Sequence, residues 1–122
     1  MNWWMLAGGA MAAICAAGHA VAGRKMIYRP IRMAIKNELA GVFTGMWHLI
    51  TTHFALSALA LGILAIRGGH DVAAGLIAVQ FASYAAVYLL ISLRLGSVFK
   101  LFQWMPFAAT ALLAAAGALL GA

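Results

Sequence analysis

The sequence predicts an all-α integral membrane protein, an up-down antiparallel bundle of four transmembrane helices in a single domain, and three observations carry that prediction. Hydrophobic residues make up 66% of the 122 and charged residues 8%, too little polar surface to cover a water-soluble domain of this size. Four apolar stretches, 3–23, 39–66, 72–93 and 98–121, contain one of the ten Lys, Arg, Asp and Glu residues, Lys100 near the start of the fourth. Each reaches the ~20 residues that a helix rising about 1.5 Å per residue needs to cross a hydrocarbon core of about 30 Å. The connections after the second and third stretches are short, which forces antiparallel neighbours.

The first stretch ends in Ala20-Val21-Ala22, a small-x-small pattern that imitates a secretory cleavage site. It lacks a basic n-region, so it is read as a retained helix with Trp3 and Trp4 at one interface and Arg24 and Lys25 at the other. Cys15, the only cysteine, lies inside it and reads as a small apolar core residue. A basic segment follows, 24–38, in which Pro30 suits a first helical turn. Arg29, Arg32 and Lys36 recur on one side and Ile27, Ile31 and Ile35 on the other. This predicts a short helix in the headgroup layer, with Arg24, Lys25, Arg29, Arg32 and Lys36 against anionic lipid at about 1 kcal/mol for each basic residue.

Between the second and third stretches, Arg67-Gly68-Gly69-His70-Asp71 reads as a tight turn with Asp71 as the cap of the next helix. Gly96-Ser97 turns the chain between the third and fourth. On the fourth, Pro106 should free the carbonyl of Phe102 and kink the span, with Gln103 near enough to answer that carbonyl or to reach His19. Small residues, Gly8, Gly9, Ala12, Ala13, Ala16 and Ala17 on the first stretch and Ala108, Ala109 and Ala114–Ala116 on the fourth, predict close helix packing, within the chain or between copies.

Lys and Arg fall seven to one at the first and third connections, Lys100 at the start of the fourth stretch included, against the second, with Arg67 alone in the latter. The positive-inside rule then places both termini outside and the basic connections in the cytoplasm of a bacterial inner membrane. A net charge of +6 collected beside apolar spans points to anionic lipid rather than nucleic acid.

Polar side chains inside a membrane are costly, so each is a candidate for function. His19 lies about 7 Å from the boundary set at Arg24, among the small residues Cys15, Ala16 and Gly23, where a flat macrocycle such as haem b could reach a neutral imidazole, or where a carbonyl or a headgroup phosphate satisfies the ring. His48 enters the second helix from the same side, about 10–14 Å deep, on a polar stripe with Thr44 and Thr52. Five residues separate His48 from His53, so their imidazoles point about 140° apart. His53 shares a face with Ser57, and Gln80, Tyr84 and Tyr88 recur at i, i+4 and i+8 on the third helix, an edge that lines a polar path or makes interhelical hydrogen bonds.

Several chemistries are excluded. Glu38 and Asp71 stand at opposite membrane faces, which rules out a carboxylate pair. There is no phosphate-binding glycine loop, no nucleophile elbow and no set of thiolates for zinc.

Two segments, Gly18-His19-x-x-x-Gly23-Arg24-Lys25 and Trp47-His48-x-x-Thr51, resemble a pattern in uncharacterised small bacterial membrane proteins of four predicted spans. The resemblance covers the first half of the chain, implies the four-span fold, and marks His19 and His48 as a pair without implying an activity. Size and topology also resemble the small multidrug resistance transporters, but the membrane-embedded glutamate on which those depend has no counterpart in the first stretch. The function expected is a non-enzymatic accessory protein or complex subunit, acting through helix packing in a larger complex or a homo-oligomer; an added reading is that His19 and His48 could hold a haem or related macrocycle. The alternatives are an oligomeric transporter or channel along His53, Gln80, Tyr84 and Tyr88, and an enzyme acting on lipid or quinone with His19 or His48 as base.

Overall fold

A computed structural model describes residues 1–68 and 71–120. It contains helices α1 (Trp3–Gly18), α2 (Arg29–Ala34), α3 (Asn37–Arg67), α4 (Asp71–Arg94) and α5 (Trp104–Leu120), with a π-helical segment, His19–Tyr28, joining α1 to α2. Among the described residues there is no strand. Gly69, His70 and the side chain of Asp71, on which the expected turn and cap rest, lie outside them.

The first difference from expectation is at the basic segment. Trp3–Ala34 runs as one continuous helix of 32 residues, about 48 Å if wound as α throughout, so a helix whose apolar part fills a core of about 30 Å carries its basic third beyond it. The short basic helix expected at 24–38 is therefore an extension of the first apolar helix rather than a separate element. The π ladder ends where the Arg29 N–H donates to the Arg24 carbonyl, and the next residue, Pro30, has no N–H with which to continue it. Beyond Ala34 the chain is extended at Ile35 and Lys36. Asn37 then takes a left-handed φ of 59°, a conformation that Asn tolerates better than most residues.

Small residues set the packing, as expected. A Cβ at Gly8 would lie 3.3 Å from the Ala114 backbone N, and one at Gly9 would lie 3.1 Å from the Ala58 carbonyl O and 3.3 Å from Gly62 N. Backbone thus meets backbone on two sides of α1, where dispersion is densest in the absence of a water-driven term. Ala12, Cys15 and Ala114 continue the buried seam. At the end opposite the basic segment Asn2 fastens three helices: its backbone N–H donates to the Ala65 carbonyl at 2.8 Å, its Nδ2 donates to the Gly117 carbonyl at 2.8 Å, and its Oδ1 accepts the Met5 N–H at 3.1 Å.

The helices pack α3 on α1, α1 on α5 and α5 on α4 through close backbone approach. Side chains close the remaining gap between α3 and α4. Phe54, Phe81, Tyr84 and Phe107 all touch one another, with ring centroids 5.3–6.1 Å apart, in edge and tilted geometries that suit aromatic quadrupoles. The result is a helical bundle of three long apolar helices and a shorter fourth.

That fourth helix is the second difference. It begins at Trp104 rather than at 98 and has 17 residues, about 26 Å, the short end of lengths that cross a bilayer. Ser92, fully buried, captures the preceding turn: its Oγ donates to the Ser97 carbonyl at 2.7 Å and accepts the Leu101 N–H at 3.0 Å. Gly96 supplies the φ of 91° that this turn needs. Pro106 falls in the first turn of α5, where no N–H is required of it, so it starts a helix instead of kinking one. The Phe102 carbonyl accepts the Met105 N–H at 3.0 Å, and Gln103 serves neither that carbonyl nor His19. Its Oε1 is buried with no hydrogen-bond partner among the described residues.

Candidate functional site

The site forms where the π segment lies on α3. Nine residues separate His19 from Tyr28, about 900° in an α-helix, which puts the two on opposite faces. An i→i+5 winding takes roughly 4.4 residues per turn, so the same nine residues make about two full turns and bring both side chains to one face. Gly23, one turn from each, completes the stripe. On α3 the receiving residues are Thr44, Trp47 and Thr51, at i, i+3 and i+7 on a single face.

Each contact has a defined role. The Thr51 hydroxyl donates to the Trp47 carbonyl at 3.1 Å, so the 2.8 Å contact between its Oγ1 and His19 Nδ1 has the imidazole N–H as donor. With the hydroxyl proton so placed, His19 donates through Nδ1, and its Nε2 has no protein partner among the described residues. The imidazole stacks on Trp47, centroids 3.9 Å apart and planes 23° apart, and meets Phe54 edge-on at 5.8 Å. Two turns of α3 away the pattern repeats. Thr44 donates to the Ala40 carbonyl at 2.8 Å and accepts from the Tyr28 hydroxyl at 3.1 Å. Tyr28 also stacks on Phe43 at 5.7 Å and tilts against Trp47 at 5.4 Å. Gly23 leaves room for the indole: a Cβ there would stand 3.1 Å from two atoms of the Trp47 ring.

Beside this clamp lies a cleft of about 190 Å³, lined by Ala20, Arg24, Tyr28, Trp47, His48 and Thr51. The two sequence motifs therefore meet: Gly18-His19-x-x-x-Gly23-Arg24 provides one wall and Trp47-His48-x-x-Thr51 the other. His19 and His48 do not line one space. His48 faces the cleft, its ring 6.4 Å from Tyr28, while His19 lies against Trp47 and outside the cleft lining. Lys25, Arg29, Arg32 and Lys36 are exposed along the basic extension.

Of the expected polar stripe on α3, Thr44 faces the first helix, whereas His48 and Thr52 are exposed. Thr51, the acceptor of the His19 proton, is the member that the stripe omits; its only mark in the sequence is its place in the Trp47-His48-x-x-Thr51 segment. Thr51→Val, which keeps the shape and removes the acceptor, should cost about 0.6 kcal/mol, the average for interhelical hydrogen bonds in membranes. It should also shift the ¹⁵N resonances of His19 away from the Nδ1–H pattern. An unchanged pattern would refute this assignment.

The second polar group gathers across α3 and α4. Ser57 Oγ stands 3.4 Å from His53 Nε2 and donates to the His53 carbonyl at 2.9 Å. Gln80 Nε2 donates to the Tyr84 hydroxyl at 2.9 Å, and Tyr84 meets the His53 ring edge-on at 5.9 Å. Tyr88 tilts against Phe107 at 5.6 Å. These groups bond within their own helices and fill the rest of their surroundings with rings, an arrangement suited to joining α3 to α4. No group of three or more His, Cys, Asp or Glu side chains able to hold a metal ion occurs among the described residues.

No family model matches the chain, and neither a curated protein nor a solved structure does.

Proposed function

We infer that this chain is a small non-enzymatic accessory protein or subunit of a bacterial inner-membrane complex, acting through helix packing with both termini outside and its basic connections in the cytoplasm. One observation carries the reading. The outward face of α3 presents Gly41, Gly45 and Thr52 within about 40° of one another, all exposed. A Cβ at Gly41 or Gly45 would meet nothing within 4 Å, and the Thr52 hydroxyl has no protein partner among the described residues. Acyl chains cannot satisfy such groups, whereas another helix approaching over a Gly-x-x-x-Gly surface can. Gly45→Leu and Thr52→Leu should each reduce the size of the assembly extracted in a gentle detergent, without lowering the stability of the isolated bundle. Assemblies of unchanged size would refute the reading.

A second reading, a macrocycle such as haem b on His19, is favoured by the hydrogen bond from Nδ1–H to Thr51. Metal-bound imidazoles characteristically hold their other N–H in this way and present the opposite nitrogen. A visible absorption band in the purified protein, lost in His19→Ala, is the expected result. A colourless preparation with the bundle intact would remove this clause.

A further inference from the structure

We propose that the cleft between the π segment and α3 is a binding site for a phosphate ester, with the Arg24 guanidinium as its principal ligand and His48 and Trp47 as supporting donors. The argument rests on which hydrogen-bonding groups remain unused there. The Tyr28 hydroxyl spends its proton on Thr44, and the Thr51 hydroxyl spends its own on the Trp47 carbonyl. Neither is available to donate to a ligand. The guanidinium of Arg24, the imidazole of His48 and the indole N–H of Trp47 have no hydrogen-bond acceptor among the described residues. All three residues line the cleft.

No carboxylate balances them. The chain has two acidic residues, Glu38 and Asp71. Glu38 is ten residues from His48 along α3, about 15 Å, and Asp71 begins α4 beyond the far end of α3. A cleft with a cation and ring N–H groups but no anion of its own selects an anion. A planar guanidinium holds phosphate oxygens through two parallel bonds, which a lysine in its place could not do.

Size points to a group rather than a whole molecule. About 190 Å³ is below the roughly 300–1,000 Å³ of pockets that enclose a drug-sized ligand. A phosphate fits, and any apolar tail lies outside it. The neighbouring cations Lys25, Arg29, Arg32 and Lys36 concentrate anions at this end but do not line the cleft.

The test uses the full chain in a phosphate-free maltoside detergent, with native mass spectrometry reading what stays bound. Phosphatidylglycerol, glycerol phosphate and inorganic phosphate are offered separately, with a glycolipid of matched tails as the control. Phosphatidylglycerol should be retained over the glycolipid, and Arg24→Gln should lower its retention about tenfold, the effect of losing a charge-assisted pair. Lys25→Gln, outside the cleft, should leave it near the wild-type level. His48→Gln should give a smaller loss than Arg24→Gln. Arg24-dependent retention of phosphatidylglycerol alone identifies a lipid as the source, and the same dependence for the soluble phosphates identifies the free group; either supports the site. Equal losses in Arg24→Gln and Lys25→Gln would mean attraction to charge in general and would overturn it, as would retention of the glycolipid at the level of phosphatidylglycerol.

Discussion

Trp47→Ala should detach the basic third of the first helix from α3 and lower the stability of the bundle by about 2 kcal/mol. In water a buried Trp→Ala change costs about 3–5 kcal/mol, but much of that is transfer from water. In a bilayer the opened surface meets acyl chains instead, so what remains is lost dispersion and the cavity left behind. Trp47 has a great deal of dispersion to lose. It is 8% exposed, stacks on His19 at 3.9 Å, and touches Tyr28 at 5.4 Å and Phe43 at 6.2 Å, with Gly23 against its outer edge. Removing it leaves both hydrogen-bonded pairs, His19 with Thr51 and Tyr28 with Thr44, without the slab that separates and orients them. Trp47→Phe should recover part of the loss, since a ring still stacks on the imidazole. Unfolding of the purified protein, read by steric trapping in bicelles, measures the cost. A Trp47→Ala variant as stable as wild type would show that these residues touch without clamping.

The long apolar helices were legible because run length and the exclusion of charge depend only on composition, and the close approach at Gly8 and Gly9 because nothing but small residues could stand there. The start of α5 was not legible. Val98–Leu101 is apolar enough, Lys100 apart, to read as helix, but the buried Ser92 hydroxyl, brought in from the end of α4, holds that segment in a turn together with the Ser97 hydroxyl and the Trp104 indole N–H. The two motifs could be read, but not their meeting. A ruler of about 100° per residue sends Tyr28 to the face opposite His19, and composition carries no signal for i→i+5 winding. The same ruler groups Thr44, His48 and Thr52 correctly as neighbours on α3. It cannot say which edge of that stripe faces the first helix, and the edge that does so carries Thr51, one residue before Thr52.

Deleting Val21 and Met26 together should leave the site standing, whereas deleting either one alone should break it. Both side chains are well exposed, 64% and 74%, so neither deletion removes a packed group and the effect is one of phase. With both gone, seven residues separate His19 from Tyr28, about 700° in an ordinary α-helix and within about 20° of two full turns. One residue is lost from each wide turn, roughly the excess of i→i+5 over i→i+4 winding, so the first helix can run as α throughout and still present both side chains to α3. A single deletion leaves eight residues, about 80° past two turns in α winding, and Tyr28 then leaves Thr44. The phase can be read directly by introducing Tyr28→Cys and Thr44→Cys in a Cys15→Ser background and following oxidative cross-linking. The full-length chain and the double deletion should cross-link, and the single deletions should not. Cross-linking in all four chains would show that flexibility, not winding, brings positions 28 and 44 together, and the alignment of His19, Gly23 and Tyr28 would lose its physical cause.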